Sequence, residues 1–354
     1  MTSFTVPTLI GGSAEYQGGW REVAEGTWAW LQPNGRLGES NAGLICGDGE
    51  ALLIDTLWDP IITQRMLDAA PVSADTIAVV VNTHGDGDHC WGNQLLAGRR
   101  IIAAEGARED MVEFRPRVLA AGGRFGSLVG PALERLPFRG RLPGLRPAMV
   151  LSDFLRSCGQ YRFGGVRLAF PTELFAGSLT LDVGGRRVDL LKVGPAHTKG
   201  DLLAHVPDVD VVFAGDILFS GVTPIMWEGP AERWVAALDR ILAFEPKTVV
   251  PGHGPVSTTA QVTALRAYWE LVLREGADRH KAGQSALAAA EGIVGGGEFA
   301  ERGFREWHDV ARLGVSLTVI FDRLSGREGS ASLRARGLLA MARLASTDTL
   351  AALC

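Results

Sequence analysis

The chain has 354 residues, enough for one large domain or two modest ones around a sizeable core. Apolar residues make up 46% and charged residues 21%, a balance that excludes a disordered or fibrous chain. The formal net charge is -5 and no run of Lys and Arg occurs, so no nucleic-acid partner is expected.

Cys46, Cys90, Cys158 and Cys354 are scattered without paired spacing, which suits reduced thiols better than a disulfide framework. Residues 1–18 hold no cationic segment followed by an apolar stretch, so no secretory signal is visible. The longest apolar runs, such as residues 77–81, are strand-sized and too short to span a bilayer. A cytoplasmic chain acting on a small molecule is expected, with no membrane partner and a homodimer left open.

In chain order, residues 20–31 and 41–56 read as short strands, the latter a hairpin folded at Gly47-Asp48-Gly49. Asp59 and Pro60 open a helix as cap and first-turn residue. The β-branched run 76–82 is a buried strand that feeds into Thr83-His84-Gly85-Asp86-Gly87-Asp88-His89, and residues 100–104 form another. Residues 107–170 mix helix-like pieces with Gly, Pro, Arg and six phenylalanines (Phe114, Phe125, Phe138, Phe154, Phe163, Phe170). They read as a lid or substrate-shaping insert, or else as an irregular packing layer.

Strand signals resume at 179–183, 187–193, 202–206 and 211–214, followed by an amphipathic helix at 230–244 and a last strand at 248–250. Helices are expected at 260–275, 300–324 and 331–346. Two β-rich halves, each followed by helices, suggest two packed sheets with helices outside.

Four of the seven histidines sit where strands run into loops, beside small or acidic residues. His84, Asp86, Asp88 and His89 fall within six residues, and the intervening glycines let the backbone turn so that their side chains converge. Imidazoles and carboxylates so crowded need a cation to balance them, and this donor set suits zinc, iron or manganese. A solvated turn would explain the heptapeptide alone, but three later segments repeat the pattern after a strand. These are Gly194-Pro-Ala-His197-Thr-Lys-Gly-Asp201, Phe213-Ala-Gly-Asp216 and Val250-Pro-Gly-His253-Gly-Pro255.

In these motifs and their order the chain resembles the metallo-β-lactamase superfamily over roughly residues 20–106 and 175–256, and Asp55 in Leu-Ile-Asp matches a further hallmark. The resemblance implies a four-layer αββα sandwich, an α/β fold. The catalytic domain would be residues 1–257, with 107–170 inserted and a helical C-terminal extension at 258–354. It places His84, position 86 and His197 on a first metal, Asp88, His89 and His253 on a second, and Asp216 between them. It further implies a metal-bridging hydroxide, nucleophilic at neutral pH, attacking a substrate bond, with Asp88 orienting the water.

Position 86 departs from the family pattern of His-x-His-x-Asp-His, because it is Asp. With two divalent ions, Asp86, Asp88, Asp216 and a hydroxide, the core would be neutral; a histidine at 86 would leave it one charge positive. The neutral core is a weaker Lewis acid and opens zinc's place to iron or manganese. Aspartate is also shorter than histidine by about an ångström, so ligation through water is open as well. A carboxylate here keeps alive a non-heme diiron oxidoreductase related to the flavodiiron branch, although that branch's flavodoxin-like module has no room in the chain.

The leading expectation is a hydrolase of an ester, thioester or lactone with a hydrophobic acyl group, thioesterase- or lactonase-like; a polyketide-type thioesterase or cyclase is a special case. Trp91, Lys199 and Trp227 are candidate pocket residues. Cys90, His205, His280 and His308 read as packing or surface residues.

Overall fold

The computed structural model describes residues 16–113, 115–135, 145–327, 333–347 and 350. Phe114, Phe138, Cys354 and the stretch before residue 16 lie outside the described residues.

The first sheet runs β1 (Gly19–Ala24), β2 (Thr27–Leu31), β3 (Ala42–Cys46), β4 (Ala51–Ile54), β5 (Ile77–Asn82), β6 (Arg100–Ala104) and β7 (Glu173–Phe175), in that spatial order. Strands β1 to β4 pair antiparallel and β4 to β7 parallel. The β3–β4 hairpin turns where expected: Cys46 pairs with Ala51, and Gly49 takes φ 72°. The second sheet contains β8 (Ser178–Val183), β9 (Arg186–Lys192), β10 (Leu202–Val206), β11 (Val211–Phe219) and β12 (Thr248–His253), ordered β12-β11-β10-β9-β8.

Alternation along the strands decides which layer each side chain enters. On β4, Leu52 and Ile54 meet Leu190, Ala204 and Phe213 between the sheets. Ala51 and Leu53 turn outward onto Met66 and Leu67 of α1 (Pro60–Asp68). Asp59 caps that helix, its carboxylate accepting from Ile61 N at 2.8 Å and Ile62 N at 2.9 Å. On β11, Val211 and Phe213 face the other sheet, while Val212 and Ala214 face Trp234 and Leu238 of α6 (Ala231–Ala243) and Val262 and Leu265 of α7 (Thr259–Lys281). The order of layers is therefore helix, sheet, sheet, helix. Each fully buried Leu or Val on these faces is worth about 1.5–3 kcal/mol.

Two short helices, α2 (Gly87–Cys90) and α3 (Ala107–Asp110), belong to the loops at one end of the sheets. Between β6 and β7 the chain forms two longer ones, α4 (Pro116–Glu134) and α5 (Leu145–Cys158), packed side by side. After α7 come α8 (Ala286–Val294), α9 (Gly297–Glu301), α10 (Leu313–Leu324) and α11 (Leu333–Ala345). The single helix expected over 300–324 is not formed. Gly303 at φ 75° and Asp309 at φ 56° are left-handed, and the chain turns twice before α10 begins. Helix α11 rests on α10 and α5, which brings the C-terminal region back to the β6–β7 crossover. Among the described residues no helix is long and apolar enough to cross a membrane.

Candidate metal centre

Both sheets deliver side chains to one end of the sandwich. His84 follows β5, His89 lies in α2, His197 follows β9, Asp216 lies in β11 and His253 ends β12. The Asp216 carboxylate stands in the middle: Oδ1 is 3.1 Å from His89 Nε2, while Oδ2 is 3.3 Å from His197 Nε2, 3.5 Å from His253 Nε2 and 3.9 Å from His84 Nε2. Two sets of candidate ligand atoms result, each within 4.8 Å: His84, His197 and Asp216, and Asp88, His89 and His253.

Three of the four ring nitrogens that face away from this point have a partner, while His253 Nδ1 is buried without one. His89 Nδ1 donates to Asp55 Oδ2 at 2.9 Å, and His197 Nδ1 donates to the Ile225 carbonyl at 2.6 Å. His84 Nδ1 lies 3.0 Å from Thr83 Oγ1, which in turn donates to Asp55 Oδ2 at 2.7 Å. Asp55 takes φ 61°, turning its carboxylate back beneath both loops. His253 is held by stacking on Phe219, with centroids 5.2 Å apart and planes at 1°. The Nε2 atoms of His84 and His89 and Oδ1 of Asp216 are buried without a hydrogen-bond partner. Buried polar atoms so orphaned, converging with N and O donors and oriented from behind, fit divalent cations.

The sequence model of the metallo-beta-lactamase superfamily matches residues 35–253, spanning every one of these residues. The chain belongs to that superfamily. It is 25% identical over 193 residues to a hydroxyacylglutathione hydrolase of Synechococcus sp. (strain JA-3-3Ab), covering 54% of this chain and 55% of the relative. It is 28% identical over 236 residues to a linear primary-alkylsulfatase of Pseudomonas sp. (strain ATCC 19151), covering 60% of this chain and 41% of that one. The chain thus spans about half the length of these curated relatives. A metallo-beta-lactamase family protein from Thermus thermophilus superposes with a TM-score of 0.55 at 18% identity, over 86% of this chain and 95% of its own. A metallo-beta-lactamase from Pontibacter korlensis gives 0.50 at 17%, over 72% and 99%. These two likenesses show the superfamily fold.

Asp86 behaves differently from its neighbours His84, Asp88 and His89. Asp86 Oδ2 lies 3.2 Å from His197 Nε2, and the residue falls in neither candidate ligand set. Its other oxygen faces Arg334 of α11, whose guanidinium is 3.9 Å away. That guanidinium also binds Glu113 at 2.6 Å and lies 5.0 Å over the Trp227 ring. A C-terminal helix beyond the matched region therefore brings a positive charge to the Asp86 carboxylate.

Burial works against charge throughout the centre. It drives the His84 imidazole down to about 3, with His89 adding repulsion. For Asp216 burial is outweighed by His253 and His89, which hold the carboxyl well below its ordinary value. His197 is lifted to about 9 against burial, by its hydrogen bond to Asp86 and the nearby Asp216 charge.

Above the centre lies a cavity of about 300 Å³. Asp86, Asp88, His197, Asp216 and His253 face its floor, and Trp58, Phe154, Phe219, Trp227, Leu338 and Met341 are among its walls. Of the three expected pocket residues only Trp227 borders it. Trp91 is buried beneath, packed against Trp58 and Phe163, so it serves the core. Lys199 turns away to pair with Glu113 at 2.9 Å. Gly85 and Gly87 have no left-handed backbone; they are needed for space, since an added Cβ would stand 2.3 Å from the Ala107 carbonyl and 2.4 Å from the Trp91 ring.

Cys90 is buried with its thiol against backbone carbonyls, and burial pushes that thiol up. His205 stacks on Phe244, His280 meets Ser325, and His308 lies 3.0 Å from Arg36. None of these four joins either candidate ligand set. Sequence reading missed Arg334, Leu338 and Met341; the only signal they carry is that 334, 338 and 341 share one face of a helix.

Proposed function

We propose that this chain is a metal-dependent hydrolase that cleaves an ester, thioester or lactone of a hydrophobic acyl group. The observation that carries the reading is an apolar-walled cavity whose floor is the centre itself. His84, His197 and Asp216 would hold one cation and Asp88, His89 and His253 the other, with Asp216 shared and zinc, iron or manganese suited to the donors. Two such cations, when bound, would acidify a water and polarise the carbonyl.

The chain's own residues supply the rest. Asp88 can accept a proton from a water on the cavity floor and fix its direction. Trp58, Phe154 and Leu338 exclude bulk water and hold the acyl chain by dispersion and burial. Asp86, held between His197 and Arg334, sets the charge felt at the first position.

The test pairs metal analysis with a panel of acyl thioesters, lactones, acyl esters and alkyl sulfates of increasing chain length. Turnover of carbonyl substrates that improves with chain length and disappears with chelator supports the reading. Cleavage of alkyl sulfates alone would move it to sulfate esters. Two irons with oxygen consumption and no hydrolysis would replace it with a diiron oxidoreductase.

A further inference from the structure

Most surface helices turn large apolar side chains inward and leave small or charged ones in water. Helix α4 turns Leu119 inward but departs from this rule on the rest of its surface. Gly123 and Gly126 lie against α5, where an added Cβ would stand 2.7 Å from Gly159 N and 2.6 Å from Arg156 N. The outward face carries Val118, Phe125 and Leu128, exposed to 63%, 59% and 78%. Arg117 and Arg124 are exposed beside them, Arg135 follows just past the helix, and residues 117–133 contain no Asp or Glu. The stripe from Arg117 to Arg135 is about 27 Å long. It belongs to a basic island: residues 107–170 contain 11 arginines, no lysine and 5 carboxylates, in a chain whose net charge is -5.

We infer that the outer face of α4 docks on an anionic lipid surface, with Val118, Phe125 and Leu128 entering the headgroup–acyl boundary and the arginines meeting phosphates. Interleaving decides between lipid and protein. A protein interface gathers its apolar residues into a core and keeps charges to the rim. Here arginine recurs along the same line as the apolar residues, which suits a lipid boundary where guanidinium groups snorkel beside inserted hydrocarbon. A symmetric pairing of two copies on this face would set arginine against arginine. The same hairpin lines the cavity with Leu119, Val150 and Phe154, so the lipid layer and the cavity are separated by one helix thickness. The docking stands independently of the reaction assigned to the centre.

The test is flotation of the full chain with vesicles of equal phosphatidylcholine and phosphatidylglycerol, and with phosphatidylcholine alone. Binding to the anionic vesicles only, weakened by salt, is expected. Arg117→Gln with Arg124→Gln should weaken it roughly 30-fold, at about five- to sixfold per arginine. Phe125→Ser with Leu128→Ser should weaken it at least about tenfold. Both pairs should keep the wild-type thermal midpoint and metal content, because none of the four side chains lines the cavity. The inference is overturned by absent binding, by equal binding to neutral vesicles, or by binding that survives both pairs. A wild-type dimer that either pair splits would also overturn it, and assign the face to a second copy.

Discussion

Around Asp216 four imidazoles crowd within 3.9 Å of one carboxylate, and three of them are held from behind by a hydrogen bond. Directly above, Phe154, Leu338 and Met341 offer the cavity only apolar side chains, from helices that lie across a crossover and at the far end of the chain. The floor is made by the strand ends of the matched region; much of the wall comes from outside it or from an excursion within it. Such a division lets chemistry stay fixed on the sandwich while substrate shape is set by packing. Damage to the floor should therefore appear as lost metal and lost turnover, and damage to the wall as altered KM.

The largest effect belongs to the shared carboxylate. Asp216→Ala should leave fewer than one cation per chain and reduce kcat/KM by at least about 10³-fold, read by elemental analysis and steady-state kinetics. Next is the support behind the floor. Asp55→Asn removes the acceptor that orients His89 and should weaken cation affinity about 10–100-fold in chelator competition. On the wall, Leu338→Trp should raise KM for long acyl chains about tenfold while an acetyl substrate and the metal content stay unchanged; a fall in metal content would break the division.

Two smaller effects concern α11. Arg334→Met keeps a stem to cover Trp227 but removes a positive charge 3.9 Å from Asp86, so cation binding at the first position should tighten about threefold. Asp322 anchors α11 by accepting from Arg336 and from Arg327, and these partners outweigh burial to hold its carboxyl below the ordinary 3.8. Because the folded value is the lower one, this anchoring is complete above about pH 4 and is lost as pH falls through the depressed value. Limited proteolysis should therefore cut near α11 more readily in strong acid, and Asp322→Asn should do so at neutral pH.

The floor was legible because its residues lie in short motifs at strand ends, where spacing along the chain fixes spacing in space. The β3–β4 hairpin and the Asp59 cap were legible for the same local reason. Arg334 was not, since only the folding of α11 back onto α5 carries it to Asp86. Trp91 and Lys199 misled because adjacency to a ligand says nothing of direction: one ring points under the floor and one ammonium points to Glu113. The break near residue 303 was hidden by good helix formers on either side. The basic stripe of α4 escaped because its arginines recur at helical intervals, never as a run.

Cation stoichiometry tests the central claim most directly. The chain, stripped with chelator and reloaded with zinc, iron or manganese, is expected to hold two ions. His84→Ala and His253→Ala should each retain one, because they empty different ligand sets. A wild-type chain that takes up one ion or none, or an Asp216→Ala chain that still holds two, would contradict a centre built around that shared carboxylate.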